Sequence, residues 1–248
     1  MGPTALIVVV GDEILSGEVT DTNSPWLAKQ LTELGVEVGQ IITIPDKVEE
    51  IAEQVGRGSS RFDWVLVTGG IGPTPDDVTR EGVARALGVP LKLNPEAESA
   101  LIRGYEEKVD EKIKGMAWLP QGSLAVTDEN KGLLGFAIQN VWVFPGIPHL
   151  LKLTFDLIKE RLRSAPIYRE SFVTNLRESL FAEVMEVAMR KFPQVSIGSY
   201  VRLKGERYEA ELVFRSRDQG HLKEAKEWLL NEIYALEKNY CINNPSVI

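Results

Sequence analysis

The chain has 248 residues, room for one large domain and a smaller one, and its 44% hydrophobic and 26% charged residues are ordinary for a globular protein. A net charge of −8 at pH 7 argues against a nucleic-acid backbone as partner, and a single cysteine, Cys241, excludes an intrachain disulfide framework and fits a reducing compartment. The apolar run Ala5 to Val10 is too short to cross a bilayer, lacks a basic flank and runs straight into Gly11-Asp12-Glu13, so a first strand in a cytoplasmic protein without a membrane segment is expected.

Leu6 to Val10 is apolar at every position, as a strand covered on both faces requires. Gly11-Asp12-Glu13-Ile14-Leu15-Ser16-Gly17 reads as a strand-to-loop switch. It places two carboxylates and a hydroxyl at the strand's C-terminal end, where ligands of open α/β sheets bind. Asn23 or Ser24 is expected to cap the next helix, with Pro25 at its first position, Trp26, Leu27, Leu31 and Leu34 as its apolar face, and Gly35 at its end. Val36 to Ile44 is a second strand that delivers Pro45-Asp46 to the same edge. Val48, Ile51, Ala52 and Val55 mark a helix, and Gly56-Arg57-Gly58-Ser59-Ser60 reads as a loop.

Trp64 to Val67 is a third strand, and Val78 to Leu87 is helical and closed by Gly88. The alternation β-α-β-α-β-α predicts a parallel sheet with helices on both faces, a three-layer αβα domain. A helix is expected over Pro95 to Val109, with Ala97, Leu101 and Tyr105 on one side. The strand Val141 to Phe144 ends in Pro145-Gly146-Ile147-Pro148, and a helix from His149 to Arg163 turns Leu150, Leu153, Leu157 and Ile158 to the sheet. Three strand ends followed by small or acidic residues can then converge on one crevice.

Arg163-Ser164-Ala165-Pro166 reads as a linker dividing a domain of residues 1–165 from one of residues 166–248. In the latter, Glu170 to Thr174, Val195 to Leu203 and Tyr208 to Phe214 read as strands, and Ser179 to Lys191 and His221 to Leu236 as helices. The order β-α-β-β-α predicts a small α+β domain of ferredoxin-like type.

The stretch Thr68-Gly69-Gly70-Ile71-Gly72-Pro73-Thr74-Pro75-Asp76-Asp77 lies between a strand and a helix. Glycines there let backbone N–H groups approach a ligand at a partly positive helix end, which suits a phosphate. Two adjacent carboxylates would repel a bare phosphate, and a divalent cation between them reconciles the two. The glycines alone could serve a tight turn, and one aspartate could be a helix cap; a cap needs only one, so the second is the informative residue. The glycine spacing is not G-x-G-x-x-G and no lysine follows, which disfavours an NAD enzyme or a kinase. Glu13 and Asp46, read singly, are a solvated carboxylate and a helix-start cap; a parallel sheet brings both to the glycine turn. His149 and His221 are the only histidines and fall in different domains, so neither a histidine metal site nor a nucleophile triad is supported. Tyr200, Arg202, Lys204, Arg207 and Arg215 put basic charge on the second domain's strands, which reads as a solvated sheet face.

Gly11 to Gly17, Asp21-Thr22-Asn23, Thr68 to Thr79 and Phe144-Pro145-Gly146-Ile147-Pro148 together resemble the CinA (competence/damage-inducible) family over roughly residues 4 to 163. The resemblance implies the molybdopterin-binding fold of MoaB, MogA and gephyrin, with a pocket for a phosphorylated pterin or nucleotide at the C-terminal edge of the sheet. Carried over, Thr68, Gly69, Gly70 and Gly72 would hold phosphate, with Ser16, Gly17, Asn23, Pro145 and Gly146 lining the pocket. Glu13, Asp76 and Asp77 would hold a metal, and Asp77 and Asp46 would be catalytic. It further implies metal-dependent hydrolysis of a nucleotide diphosphate such as ADP-ribose or FAD, with Mg²⁺, Mn²⁺, Co²⁺ or Ni²⁺ and optionally K⁺, in a homo-oligomer. Two alternatives stay open: a protein of molybdenum-cofactor synthesis that binds or transfers molybdopterin, and a sensor of ADP-ribose-like ligands. No amidase domain follows, so deamidation of nicotinamide mononucleotide is not expected. Where the family tends to read N-P-x-G-x-A-P-G-F, this chain has Asp128-Glu129-Asn130-Lys131-Gly132-Leu133-Leu134-Gly135-Phe136.

Overall fold

A computed structural model describes residues 2–105, 109–204 and 207–243, excepting the side chains of residues 203, 204, 207 and 239–243. The chain divides into two compact units, Met1–Ser164 and Ala165–Ile248. In the first, the elements are β1 (Thr4–Val10), α1 (Asp12–Leu15), α2 (Asn23–Glu33), β2 (Glu37–Ile44), α3 (Val48–Arg61), β3 (Trp64–Thr68), α4 (Thr79–Ala86) and β4 (Leu91–Leu93). They continue with α5 (Pro95–Tyr105), α6 (Glu111–Gly115), β5 (Trp118–Pro120), β6 (Leu124–Asp128), β7 (Gly132–Ile138), β8 (Val141–Phe144) and α7 (Pro148–Leu162).

Six strands form one sheet in the order β2-β1-β3-β8-β7-β6, with β2, β1, β3 and β8 parallel and β7 antiparallel to both its neighbours. The unbroken apolar run of β1 is explained by its two covered faces. Leu6, Val8 and Val10 enter the core under α3, α4 and α5, while Ala5, Ile7 and Val9 enter the core under α2 and α7. This is the three-layer αβα arrangement with a mostly parallel sheet. Truncating a fully buried side chain at either interface, such as Leu27→Ala, would cost about 2–5 kcal/mol.

Several local expectations are corrected. Residues 12–15 form a short helix where a loop was expected. The cap of α2 is supplied by Asp21, whose Oδ1 accepts from the N–H of Asn23 at 2.9 Å and of Ser24 at 3.0 Å. Neither Asn23 nor Ser24 is the cap, and Pro25 falls two positions inside the helix. Helix α3 runs on through Gly56-Arg57-Gly58-Ser59-Ser60, the stretch expected to be a loop. Gly58 is there for close approach: a Cβ on it would come 2.5 Å from Leu6 Cδ2 and 3.2 Å from Val65 Cγ2, so the helix lies against the sheet only because that atom is missing. Burial of Ile51 and Val55 on the same helix outweighs the low helix propensity of two glycines.

Helix α5 is described over Pro95–Tyr105; residues 106–108 of the expected helix lie outside the described residues, and Val109 is not helical. On α7 the buried face is Leu151, Thr154, Phe155, Ile158 and Leu162; Leu157 is exposed and Leu150 and Leu153 are half-buried. The strands β4 to β7 were not expected. Asp128 to Phe136 covers the last residue of β6, the hairpin turn and most of β7. There Asp128 Oδ1 accepts from the N–H of Asn130 and of Lys131, both at 2.9 Å.

The second unit contains β9 (Tyr168–Thr174), α8 (Glu178–Lys191), β10 (Ser196–Lys204), β11 (Arg207–Ser216) and α9 (Gln219–Asn243). Its antiparallel sheet, ordered β10-β11-β9, is the small α+β arrangement expected. Phe172, Ile197, Leu212 and Phe214 on one face of that sheet pack with Phe181, Leu222 and Leu229 of the helices. Among the described residues no helix is long and apolar enough to cross a membrane.

Candidate functional site

After β1 the chain crosses to β2 on one side, and after β3 it works over to β8 on the other. The C-terminal ends of β1 and β3 therefore flank the point where the winding reverses, where an open α/β sheet leaves a crevice. The loops after β1, β2, β3 and β8 all begin at that edge.

The loop after β3 is built by pinning its carbonyls. Gly69 donates its N–H to the Phe144 carbonyl at 3.1 Å and adopts φ +101°, where a Cβ would strike the Val10 carbonyl. The Gly69 carbonyl accepts from the Thr79 hydroxyl at 2.9 Å and the Gly70 carbonyl from the Thr79 N–H at 3.0 Å. The Ile71 carbonyl accepts from Arg80 Nη1 at 2.6 Å, which also reaches the Gly72 carbonyl at 3.2 Å. Each trans peptide unit points its N–H away from its C=O, so the N–H groups of Gly70, Ile71 and Gly72 face away from Thr79 and Arg80. None of these three donates to a described residue, and all three residues are half-buried. Successive amides of this kind form a concavity for an anion.

Thr79 and Arg80 were assigned no role on sequence grounds. Both are buried. Burial pulls the Arg80 guanidinium below its ordinary range, against the pull of Glu81 and Asp77, and it stays charged at any working pH. The available signal was a Thr-Arg pair opening a helix immediately after a glycine-rich turn.

The other loops are tied to this one. Asn23 Nδ2 donates to the Gly146 carbonyl at 2.7 Å and to Thr68 Oγ1 at 3.4 Å, and the Thr68 hydroxyl donates to the Pro145 carbonyl at 3.2 Å. Thr68 is thus buried and latches the β3 and β8 ends together. Ser16 and Gly17 close the loop after β1, the hydroxyl of Ser16 donating to the Glu13 carbonyl at 3.2 Å and the N–H of Gly17 to the Ile14 carbonyl at 3.2 Å.

Asp46, following β2, lies next to the glycine turn. A Cβ on Gly70 would stand 3.4 Å from its Oδ1, while its Oδ2 accepts from the Asp12 N–H at 2.8 Å. Burial raises the Asp46 carboxyl above the usual aspartate range. The Asp12 N–H opposes this, and the charges of Asp12, Glu13 and Asp76 add to the rise. The Glu13 carboxylate folds back over Gly11, where a Cβ would meet its Oε2 at 2.6 Å. Asp77 Oδ2 accepts from the Thr74 N–H at 2.9 Å and from the Thr74 hydroxyl, bracing its own turn. The same hydroxyl lies near the exposed Asp76 and holds its carboxyl below the usual range. Neither aspartate caps α4, whose N-cap is Val78. Asp46 is therefore brought to the glycine turn. Glu13, Asp76 and Asp77 are not gathered at one point, and no three His, Cys, Asp or Glu side chains among the described residues enclose a metal position.

The family profile of the probable molybdopterin binding domain matches residues 6–164. The chain belongs to that family. Behind this molybdopterin-binding domain, the profile of the FAD synthase middle domain matches residues 166–240. A protein of Archaeoglobus fulgidus is 38% identical over 230 residues, covering 92% of this chain and 98% of its own. The probable FAD synthase of Caenorhabditis briggsae is 31% identical over 241 residues, covering 86% of this chain but 46% of its own, so the chain spans about half of that relative. Among solved structures, the CinA protein of unknown function from Thermoplasma acidophilum superposes with a TM-score of 0.60 at 25% identity, covering 65% of this chain and 99% of its own. The CinA resemblance read from the motifs is matched in sequence by the CinA-like protein of Desulfotalea psychrophila, 39% identical over 153 residues and covering 59% of this chain and 37% of its own, and in fold by the Thermoplasma acidophilum structure.

Proposed function

We propose that the crevice hydrolyses the diphosphate link of a nucleotide of the FAD or ADP-ribose class. The observation that carries this reading is the placing of three N–H groups that donate to no described residue, on Gly70, Ile71 and Gly72, beside an aspartate whose carboxyl is pushed up. The amides hold one phosphate. Asp46 orients a water for in-line attack on the neighbouring phosphorus and takes its proton; the P–O–P bond breaks and two monophosphates leave. A raised carboxyl suits a general base better than an ordinary aspartate does. FAD would yield FMN and AMP, and ADP-ribose would yield AMP and ribose 5-phosphate. The match of residues 166–240 to the FAD synthase middle domain supports the flavin member of the class.

The donor set at this edge is all oxygen, and the mutual repulsion of Asp46 with Asp12, Glu13 and Asp76 is the kind a hard divalent cation relieves. Because no three carboxylates among the described residues enclose a metal position, Mg²⁺, Mn²⁺, Co²⁺ or Ni²⁺ would be held by Asp46 only together with oxygens of the bound diphosphate, and would supply polarisation of the phosphoryl group and a more acidic attacking water.

The test is chromatographic separation of products from FAD and ADP-ribose incubated with each metal, with and without K⁺. Metal-dependent release of AMP, reduced about 100-fold or more in Asp46→Asn, is the expected result. Full turnover in a folded Asp46→Asn protein removes Asp46 from the chemistry, and silence with every substrate removes the hydrolase. The family match favours one further reading, retention of molybdopterin without hydrolysis, which saturable pterin binding with no phosphate-ester cleavage would establish.

A further inference from the structure

The second unit has a sheet face that the crevice chemistry does not use. Side chains alternate along a strand, so the residues opposite Phe172, Ile197, Leu212 and Phe214 point away from α8 and α9. The register places Tyr200 of β10, Glu211 of β11 and Val173 of β9 in one row across that face, and Gly198, Val213 and Ser171 in the next. The Tyr200 ring lies along its own strand over Gly198: a Cβ there would come 3.3 Å from Tyr200 Cε2 and 3.5 Å from its hydroxyl oxygen. The ring is thus laid flat on the sheet, and Tyr200 is 47% exposed, with Glu211 between it and Val173 on the far strand.

Arg169, Arg202 and Arg215 lie on this same face of the sheet. Arg169 and Arg202 both donate to the Glu211 carboxylate, at 2.8 and 3.2 Å, so two cations share one anion. Arg169 first, then the Ser171 hydroxyl, holds the Glu211 carboxyl below the usual range. Glu209 stands opposite Arg202 in the register. Arg215 donates to the Tyr200 hydroxyl oxygen at 3.5 Å and has no carboxylate partner among the described residues. In a chain of net charge −8, this face carries an exposed ring with an unneutralised arginine at its hydroxyl end.

We propose that this face binds a mononucleotide, a planar heterocycle bearing one phosphate. The heterocycle stacks on the exposed side of the Tyr200 ring over Gly198, and the phosphate is held by Arg215 through charge-assisted hydrogen bonds. Among the described residues of this face, one guanidinium without a carboxylate partner suits one phosphate. Glu209 and Glu211 on the same face, with the acidic total, weigh against a polynucleotide backbone. The site lies wholly on the second unit and does not rest on hydrolysis in the first.

The experiment is titration of the full chain, free of divalent metal, with AMP and with FMN by calorimetry, which distinguishes an adenylate from a flavin source. Saturable binding of at least one is expected, weakened about tenfold or more by Tyr200→Ala and by Arg215→Ala, and largely kept by Tyr200→Phe. The same binding should be unaltered in Asp46→Asn, which separates this site from the crevice. Far-UV circular dichroism of each variant confirms that its fold is intact. No saturable binding of either nucleotide overturns the proposal, as does binding indifferent to Tyr200→Ala. Equal affinity for adenosine or riboflavin removes the phosphate contact, and a short oligoadenylate binding about tenfold or more tighter than AMP replaces the mononucleotide with single-stranded RNA.

Discussion

The side-chain amide of Asn23 donates to the Gly146 carbonyl at 2.7 Å, so one residue in the first turn of α2 holds the loop after β8 and, through Thr68, the end of β3. It can do so because Asp21 has taken over the capping of α2. Asn23→Ala should cost about 0.5–1.5 kcal/mol, since water can replace the lost donor at a partly exposed carbonyl. Asn23→Asp should be worse than alanine, because a carboxylate then faces a carbonyl oxygen. Urea unfolding of both variants ranks them, and equal stability of Ala and Asp would show that the contact is idle.

Arg80 determines where the phosphate-facing amides point. Arg80→Met keeps the length and apolar stem but leaves the carbonyls of Ile71 and Gly72 without their donor, a loss of about 1–3 kcal/mol. Amide exchange at Gly70, Ile71 and Gly72 should rise more than in β3, and the KM for a diphosphate substrate should rise with it. Unchanged exchange in that loop would free the guanidinium from this role.

Gly69 and Gly17 offer a paired comparison. Both have positive φ, +101° and +77°, but a Cβ on Gly69 would strike the Val10 carbonyl whereas one on Gly17 meets nothing within 4 Å. Gly17→Ala should cost about 1 kcal/mol, the left-handed penalty alone, and Gly69→Ala clearly more, with the loop displaced. Thermal melts of the two variants decide it; similar losses would mean that the β1 end yields to the added methyl group.

Asp46 holds its proton more tightly in the fold than in the unfolded chain, because its carboxyl is raised mainly by burial. The folded state is therefore favoured below the unfolded aspartate value of about 3.9 and loses that advantage as pH rises through the folded value. Asp46→Asn cannot ionise, so its melting temperature should exceed that of the wild type at neutral pH, with the gap closing at about pH 3. Millimolar Mg²⁺ should raise the wild type more than the variant and narrow the gap. A gap that ignores pH would mean that Asp46 ionises without penalty.

The motif carrying Thr68 to Asp77 was readable because strand, glycine turn and helix follow one another within a short stretch, and β1, β2, β3 and β8 because central parallel strands are apolar throughout. The strands β4 to β7 were not, being short and interrupted by Gly132 and by the polar turn after Asp128. The Gly56 to Ser60 stretch misled for the opposite reason: its glycines mark close packing on Leu6 and Val65, a contact made with residues distant in the chain. Asp76 and Asp77 stand out in the sequence as an adjacent pair, yet Asp77 is spent on Thr74, and Asp46 stands by the glycine turn.

By itself the sequence determined the family motifs, the alternation of apolar strands and amphipathic helices, and the change of pattern near residue 165, because these depend on neighbours in the chain. Only the tertiary structure decided which carboxylate is pushed up, which hydroxyl is consumed in a latch, and that Thr79 and Arg80 turn three amides outward. Those outcomes depend on burial and on hydrogen bonds between strand ends far apart in sequence, and such partners exist only once the sheet has brought β1, β2, β3 and β8 to a common edge.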